Sequence, residues 1–158
     1  METLTPVSAC RHTTTIHIAT GCPTEFIDLT ARLERLVAEA GLRFGILNVQ
    51  SLHTTTAIVV NEHEPLLLAD FQCLLEAAVP ESGLYRHDDT AARTVNLTDA
   101  ERPNGHAHCR ALLLPTSVCL NVVGGRLVLG RWQRVFLVEL DGPRQRGISV
   151  LIFGEAAQ

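Results

Sequence analysis

The chain of 158 residues contains no lysine, and all 13 of its basic side chains are arginine. This absence excludes Schiff-base chemistry, a lysine general base and the phosphate-binding lysine of a P-loop. Arginine remains available, and its guanidinium group binds phosphate and carboxylate groups through paired hydrogen bonds. An anionic ligand of this protein would therefore be bound by arginine.

Aromatic residues are also scarce, at 4% of the chain, so aliphatic side chains must form the core. Apolar runs such as 112–114 and 135–138 fall far short of the ~20 residues that a membrane span needs. The start of the chain is acidic and lacks an apolar run, so we expect no signal peptide and no membrane association. These features predict a cytoplasmic protein.

Several sequence motifs are missing as well. The chain has no GxGxxG, GxSxG or HExxH segment, which removes the motif-based predictions of dinucleotide binding, a serine hydrolase and a zincin. Its five cysteines are odd in number and form no CxxC pair, so we expect reduced thiols buried in the core. The net charge of −4 disfavours a nucleic-acid partner.

What is present indicates one globular domain over residues 1–158. Hydrophobic residues make up 46% of the chain and charged residues 19%. This balance, with a mean hydropathy of +0.17, is typical of a folded chain that buries a full core.

The hydrophobic pattern predicts an α+β fold, with an antiparallel sheet or sandwich and two longer helices. Alternating β-branched residues predict a strand over 11–19, and helical spacing predicts helices over 26–40 and 65–78. The second helix should bury a stripe that includes Leu74 and Leu75. Further predictions are strands within 44–61, a short helix over 107–114, and strands over 117–123, 126–130, 131–140 and 147–153.

The stretch with the most distinctive chemistry is Asn104-Gly105-His106-Ala107-His108. Neutral imidazole is the commonest protein ligand for zinc, and two histidines so close in sequence can share one cation. Other polar clusters lie at 51–56, 61–64, 87–89 and 139–141, and they can contribute to the same centre. Together these clusters predict a metal or anion site.

Two of these clusters occupy positions that favour function. His53 lies at a junction between two predicted strands, where a structural hydrogen bond is as plausible as a functional one. His87-Asp88-Asp89 lies in the irregular segment 81–104. Its two carboxylates can complete a metal shell or hold Mg²⁺ against a diphosphate, while a solvated loop is the alternative.

The chain resembles the YjbQ family over nearly its whole length. The resemblance rests on Ser51-Leu52-His53-Thr54-Thr55, Asn61-Glu62, His87-Asp88-Asp89, the segment 104–108, and Gly125–Gly130 followed by Trp132-Gln133. The chain departs from the family pattern at Pro115-Thr116 (usually Gly-Ser), at Asn121 (usually Pro) and at Arg131 (usually Thr).

The resemblance implies a homotrimer with a polar pocket that can take up a metal. It also implies a weak thiamine-phosphate-synthase activity, which joins a pyrimidine diphosphate to a thiazole phosphate with loss of diphosphate. Such a reaction needs a cation or arginine to neutralise the departing diphosphate.

On this hypothesis the candidate residues have three roles. The catalytic candidates are Asp88, Asp89 and Glu139, and the substrate-binding candidates are Asn61, Asn104, Arg126 and Trp132. The candidate ligands of a divalent metal, Zn²⁺ or Mg²⁺, are His53, His87, His106 and His108. Two other hypotheses stay open: a metal-dependent hydrolase or lyase, and a non-catalytic trimeric module that binds a metal or ligand.

Overall fold

A computed structural model describes residues 9–98 and 101–156 of the protein. The elements follow one another as β1 (Ala9–Ala19), β2 (Glu25–Asp28), α1 (Thr30–Glu39), β3 (Leu42–Ser51), β4 (Thr56–Glu62), α2 (Pro65–Ala78), a 3₁₀ turn (Arg86–Asp88), α3 (Gly105–Leu112), β5 (Ser117–Val123), β6 (Arg126–Leu127), β7 (Gln133–Glu139) and β8 (Gln145–Ala156).

The strands form two antiparallel sheets. The larger sheet has the order β1-β8-β3-β5-β6, and the smaller one has the order β2-β7-β4. Strand β8 pairs along its length with β1 on one side and with β3 on the other, so it is an interior strand of the larger sheet. The predicted α+β class with antiparallel sheets is confirmed.

The core sits on both faces of β7. Because side chains alternate along a strand, Val135 and Leu137 point into the cluster between the two sheets, while Phe136 and Val138 point the other way. Leu75 of α2 contributes to this second cluster. The protein is therefore layered, with the larger sheet, the smaller sheet, and then helices α2 and α3.

The first helix is shorter than predicted. Residues 25–28 form β2, which pairs with β7, and α1 begins only at Thr30. A carboxylate oxygen of Asp28 accepts a hydrogen bond from the Thr30 amide at 2.8 Å. Apolar residues such as Phe26 and Leu29 suit a helical period, but the free edge of β7 offers backbone hydrogen bonds that favour a strand.

The predicted burial of the α2 stripe holds only in part. Leu75 is buried, Leu67 and Phe71 are half-buried, and Leu74 is exposed by 66%. The cysteines likewise are not a set of core residues, because Cys10 alone among the five is buried. All five thiols are free, as predicted. Among the described helices, none is long and apolar enough to cross a membrane.

Candidate anion-binding site

A cavity of about 430 Å³ opens where the β3–β4 turn, the segment before α3 and the start of β8 meet. Its wall is mainly polar and carries three arginines and three histidines. The lining residues are Leu52, His53, Thr54, Thr55, His87, Arg93, Asn96, Glu101, Asn104, His108, Arg144 and Arg146.

Arg146 is held at the cavity by a buried carboxylate. Its Nε and Nη2 donate to the two carboxylate oxygens of Glu139 at 2.6 and 2.5 Å. Nη2 also donates to the hydroxyl of Thr55 at 3.0 Å. Glu139 is fully buried and accepts two backbone amides besides, so its role in the structure is to orient Arg146.

The ionisation of Glu139 follows from these contacts. Burial raises the pKa of this carboxyl, but the hydrogen bonds from Arg146 and from the Asp141 amide lower it more, and the net pKa lies below its ordinary value. Glu139 is therefore a carboxylate at neutral pH. It does not line the cavity, so its predicted catalytic role has no direct access to a ligand.

Arg144 is oriented in a similar way by Asp141. Nη2 of Arg144 lies 2.8 Å from a carboxylate oxygen of Asp141, and Nε donates to the Asp141 carbonyl at 3.0 Å. The same carboxylate accepts a hydrogen bond from Nδ2 of Asn104 at 2.9 Å and an ion-pair contact from Arg102 at 3.3 Å. Asp141 thus ties the start of α3 to the turn that carries Arg144.

The carbonyl oxygen of the Asn104 side chain is buried without a hydrogen-bond partner among the described residues. An unpaired buried acceptor costs about 1–3 kcal/mol, and such groups are concentrated at functional sites. Asn104, one of the substrate-binding candidates, lines the cavity.

The cavity presents hydrogen-bond donors backed by carboxylates. In the described residues, Nη1 of Arg144 and Nη1 of Arg146 have no protein partner, so each guanidinium keeps a donor for a ligand. Four arginines face three carboxylates in this network, an excess of one positive charge before any histidine is protonated; they are Arg93, Arg102, Arg144 and Arg146 against Glu101, Glu139 and Asp141.

The third arginine of the wall organises the segment before α3. Arg93 forms a two-point ion pair with Glu101, with N···O distances of 2.9 and 3.0 Å. It also donates to the backbone carbonyls of His87, Val95 and Asn96. The donors of Arg93 are all used by protein acceptors, so Arg93 holds this segment against the cavity.

Two imidazoles meet on the cavity wall. The ring centroids of His87 and His108 are 4.6 Å apart. Burial lowers the pKa of His108, and the neighbouring His87 lowers it further, so His108 is neutral at pH 7. A neutral imidazole can accept a proton or donate a hydrogen bond.

His53 is fixed by the backbone of β8. Its Nε2 accepts a hydrogen bond from the Gly147 amide at 2.7 Å. Burial lowers the pKa of His53, and the positive charges of Arg146 and Arg144 lower it further against the opposing effect of Glu139. His53 is therefore neutral, with its proton on Nδ1.

Asp88 has a structural contact that its sequence did not reveal. One of its carboxylate oxygens accepts hydrogen bonds from the amides of Asn104 and Gly105, both at 2.9 Å, and so caps the start of α3. Gly105 permits this contact because a Cβ there would lie only 2.4 Å from the Cβ of Tyr85. Asp88 therefore holds the start of α3 in place.

The four predicted metal ligands, His53, His87, His106 and His108, are not brought together around one point. Helix α3 begins at Gly105 and includes both His106 and His108, and residues two apart on a helix point in nearly opposite directions. His108 faces the cavity, whereas His106 is buried near Tyr85, with 6.3 Å between ring centroids. The described residues contain no group of three or more His, Cys, Asp or Glu placed to hold a metal, so we assign no step to one.

The remaining candidates lie away from the cavity. Asp89 caps its own turn, accepting hydrogen bonds from the amides at 91 and 92 at 3.1 Å. Asn61 is exposed at the end of β4 and accepts the Glu62 amide. Arg126 is exposed on β6, and Trp132 is exposed beneath the guanidinium of Arg131, which lies 4.6 Å from its ring centre. Neither Asp89 nor these other residues lines the cavity.

Sequence reasoning missed the arginines that matter. Arg93, Arg144 and Arg146 are three among 13, and nothing local distinguishes them. One signal was available, because Glu139 and Asp141 precede Arg144 and Arg146 across Gly142-Pro143, which places opposite charges on the two sides of a predicted turn.

The fold and the site together define a class: an α+β protein with two antiparallel sheets and a cavity that offers arginine and neutral histidine donors. The family model for YjbQ, described as UPF0047 protein YjbQ-like, matches residues 14–155. The chain therefore belongs to the YjbQ family, as its sequence motifs predicted.

Relatives from archaea support this assignment. A UPF0047 protein of Methanothermobacter thermautotrophicus is 38% identical over 144 residues, which cover 91% of this chain and 93% of the relative. A UPF0047 protein of Archaeoglobus fulgidus is 40% identical over 126 residues, which cover 80% of this chain and 89% of the relative.

A crystal structure of a YbjQ-like protein of unknown function from Sulfolobus solfataricus P2 has the same fold. It superposes with a TM-score of 0.81 at 36% identity and covers 94% of this chain and 100% of its own. A hypothetical protein from Aeropyrum pernix K1 superposes with a TM-score of 0.77 at 33% identity, covering 91% and 98% of the two chains.

Proposed function

We propose that the cavity binds a small phosphorylated substrate, and that the reaction carried out there is the thiamine-phosphate-forming transfer implied by the family resemblance. The observation that carries this proposal is the pair Arg144 and Arg146, each oriented by a buried carboxylate toward one cavity. Guanidinium groups held in this way need no reorganisation when an anion binds, so they stabilise charge efficiently.

The chemistry of this transfer matches the donors of the cavity. The bond between the methylene carbon of the pyrimidine and an oxygen of its diphosphate breaks, and the electron pair leaves with the diphosphate. The ring nitrogen of the thiazole phosphate then forms the new bond to that carbon. Negative charge builds up on the departing diphosphate, and the free Nη1 donors of Arg144 and Arg146 are placed to stabilise it.

The proposed phosphate-binding residues differ from the candidates that the sequence suggests. In sequence, Arg126 is a candidate for binding the substrate phosphate, and Asp88 and Asp89 are candidates for holding a divalent ion. Arg126 is exposed on β6, and both carboxylates cap backbone amides. The arginine chemistry is retained, and its place moves to the start of β8.

The experiment compares thiamine-phosphate formation by wild type, Arg144→Ala and Arg126→Ala. Loss of one electrostatic contact to a transition state commonly lowers turnover by about 10²-fold. We expect that loss for Arg144→Ala and none for Arg126→Ala, which removes the same charge outside the cavity. Circular dichroism is the control for folding of both variants.

Two outcomes would count against the proposal. If wild type forms no thiamine phosphate, the protein is better explained as a non-catalytic ligand-binding module. Equal turnover by Arg144→Ala and wild type would mean that the cavity is not where the transfer happens.

We also propose that the protein assembles as a homotrimer, as the resemblance implies. Supporting this, the outward face of the larger sheet exposes Phe44, Ile46, Val123 and Phe153, an apolar group that a neighbouring subunit would cover. Light scattering at micromolar concentration tests the proposal, and a mass near 17.2 kDa would refute it. The cytoplasmic location stays a prediction.

A further inference from the structure

The β3–β4 turn, residues 51–56, holds the backbone of His53 in a fixed place. The Ser51 hydroxyl accepts a hydrogen bond from the His53 amide at 3.1 Å and also contacts the Thr56 hydroxyl. The Leu52 amide donates to the carbonyl of Gly147 at 3.1 Å. The turn is therefore attached to β8 directly beside the imidazole.

The same glycine fixes the ring itself. The amide of Gly147 donates to Nε2 of His53 at 2.7 Å, and a backbone amide can only donate. Nε2 must then carry a lone pair, which leaves the ring proton of a neutral imidazole on Nδ1. Among the described residues, Nδ1 has no protein partner, although His53 lines the cavity.

The charged groups around the ring keep it neutral. Arg146 faces it from β8, Arg144 faces it from the turn before β8, and Glu139 faces it from β7. Burial and the two arginines lower the pKa of His53, and the opposing effect of Glu139 is smaller. Protonation of Nε2 would also break the bond to Gly147.

We infer that His53 serves as a neutral hydrogen-bond donor, through Nδ1–H, to an oxygen of the bound anion. This role rests on the proposed anion site. It differs from the predicted role of metal ligand, because Nε2 is occupied and Nδ1 carries a proton. A neutral imidazole whose proton is fixed on Nδ1 presents the same hydrogen-bond donor across the physiological pH range.

Two substitutions test the roles of the two ring nitrogens of His53 separately. In His53→Asn the side-chain amide nitrogen lies near the position of Nδ1 and keeps a donor there, while the acceptor for Gly147 is lost. In His53→Gln the side-chain oxygen reaches toward the Gly147 amide, while the donor at the Nδ1 position is lost. His12→Gln, on an exposed face of β1, is the matched control.

The test is calorimetric titration with inorganic diphosphate. A hydrogen bond to a charged group is worth enough that we expect His53→Gln to bind about tenfold or more weakly than wild type. His53→Asn should recover most of that loss, and His12→Gln should match wild type. Equal affinity of His53→Gln and wild type, or a greater loss in His53→Asn than in His53→Gln, would overturn the role of Nδ1.

Nitrogen-15 spectra of the histidine rings give an independent readout. The signal that disappears in His53→Gln should be that of a neutral ring with hydrogen on Nδ1 from pH 6 to 8. A protonated ring, or hydrogen on Nε2, would overturn the inference even if diphosphate binds. If wild type does not bind diphosphate, the proposed anion site fails and the donor role falls with it, whatever tautomer the spectra show.

Discussion

Replacing Arg146 by methionine should destabilise the protein strongly, because it leaves the carboxylate of Glu139 buried without its cation. The Arg146 side chain is 5% exposed and that of Glu139 is 0% exposed. Removing one partner of a buried ion pair typically costs about 3–5 kcal/mol. With a denaturant dependence of about 2 kcal/mol per molar urea, the unfolding midpoint should fall by about 2 M.

The dependence on pH gives this prediction a second, independent readout. In wild type the pKa of Glu139 is lowered, so its stabilising contribution is present above the ordinary pKa of 4.5 and is lost as the pH falls through the folded-state value. Without Arg146, burial dominates and raises the pKa of Glu139. Protonation relieves that penalty as the pH falls from the raised pKa of the variant towards 4.5, and wild type loses its own stabilisation below 4.5. The difference in unfolding free energy between variant and wild type should therefore be widest at pH 7 and should narrow steadily as the solution becomes acidic.

Urea unfolding at both pH values measures this effect, with Arg144→Met as the control. The Arg144 side chain is 39% exposed, so its ion pair should contribute at most about 1 kcal/mol. Adding Glu139→Gln to Arg146→Met removes the buried charge and should restore part of the lost stability. Equal midpoints for the two methionine variants at pH 7 would refute the reasoning.

Three smaller predictions concern the start of α3. Gly105→Ala should cost about 1–3 kcal/mol in thermal unfolding, because the new Cβ would lie 2.4 Å from the Cβ of Tyr85; an unchanged midpoint would contradict the packing described here. Asp88→Ala should cost about 1 kcal/mol through loss of the cap, and Asp88→Asn, which keeps the acceptor, should cost less. In an NMR titration His108 should protonate with a pKa below its ordinary value of 6.5, because burial disfavours the charged imidazole. The stability that comes from the neutral ring is therefore lost as the pH falls through 6.5. A titration midpoint at or above 6.5 would show that burial does not govern the pKa of His108.

The fold was largely predictable because its strands carry clear local patterns. The alternation of side chains over 13–18, with Ile16 and Ile18 on one face and His17 on the other, predicted β1. The proline that opens α2 predicted the first residue of that helix. The strand β2 was missed because Phe26 and Leu29 fit a helical period, whereas the strand forms by pairing with β7, which lies about 110 residues further along the chain.

The site was predictable only in part, for a geometric reason. Four of the candidate residues, His53, His87, Asn104 and His108, line one cavity, and the sequence pointed to them because histidine and asparagine side chains cluster near its predicted turns. The HxH pair was misjudged because its geometry depends on whether the helix begins before or after His106. A start at Gly105 places the two rings on opposite sides.

Short stretches of sequence do not show that Arg93, Arg144 and Arg146 line the cavity. Arg146 donates a hydrogen bond to Thr55, which is 91 residues away in sequence, and Gly147 donates one to His53, which is 94 residues away. Such contacts come from the pairing of β8 with β3, which no short window of sequence contains. The absence of lysine indicates arginine as the residue type for an anion site, and the topology decides which arginines face the cavity.

The central claim is that Arg144 and Arg146 form an anion site, and calorimetric titration of inorganic diphosphate into the wild-type protein, Arg144→Ala and Arg126→Ala tests it most directly. The account predicts that wild type and Arg126→Ala bind equally well and that Arg144→Ala binds at least about tenfold more weakly, since a hydrogen bond to a charged group is lost. Absence of binding by wild type, or equal affinity for all three proteins, would contradict it.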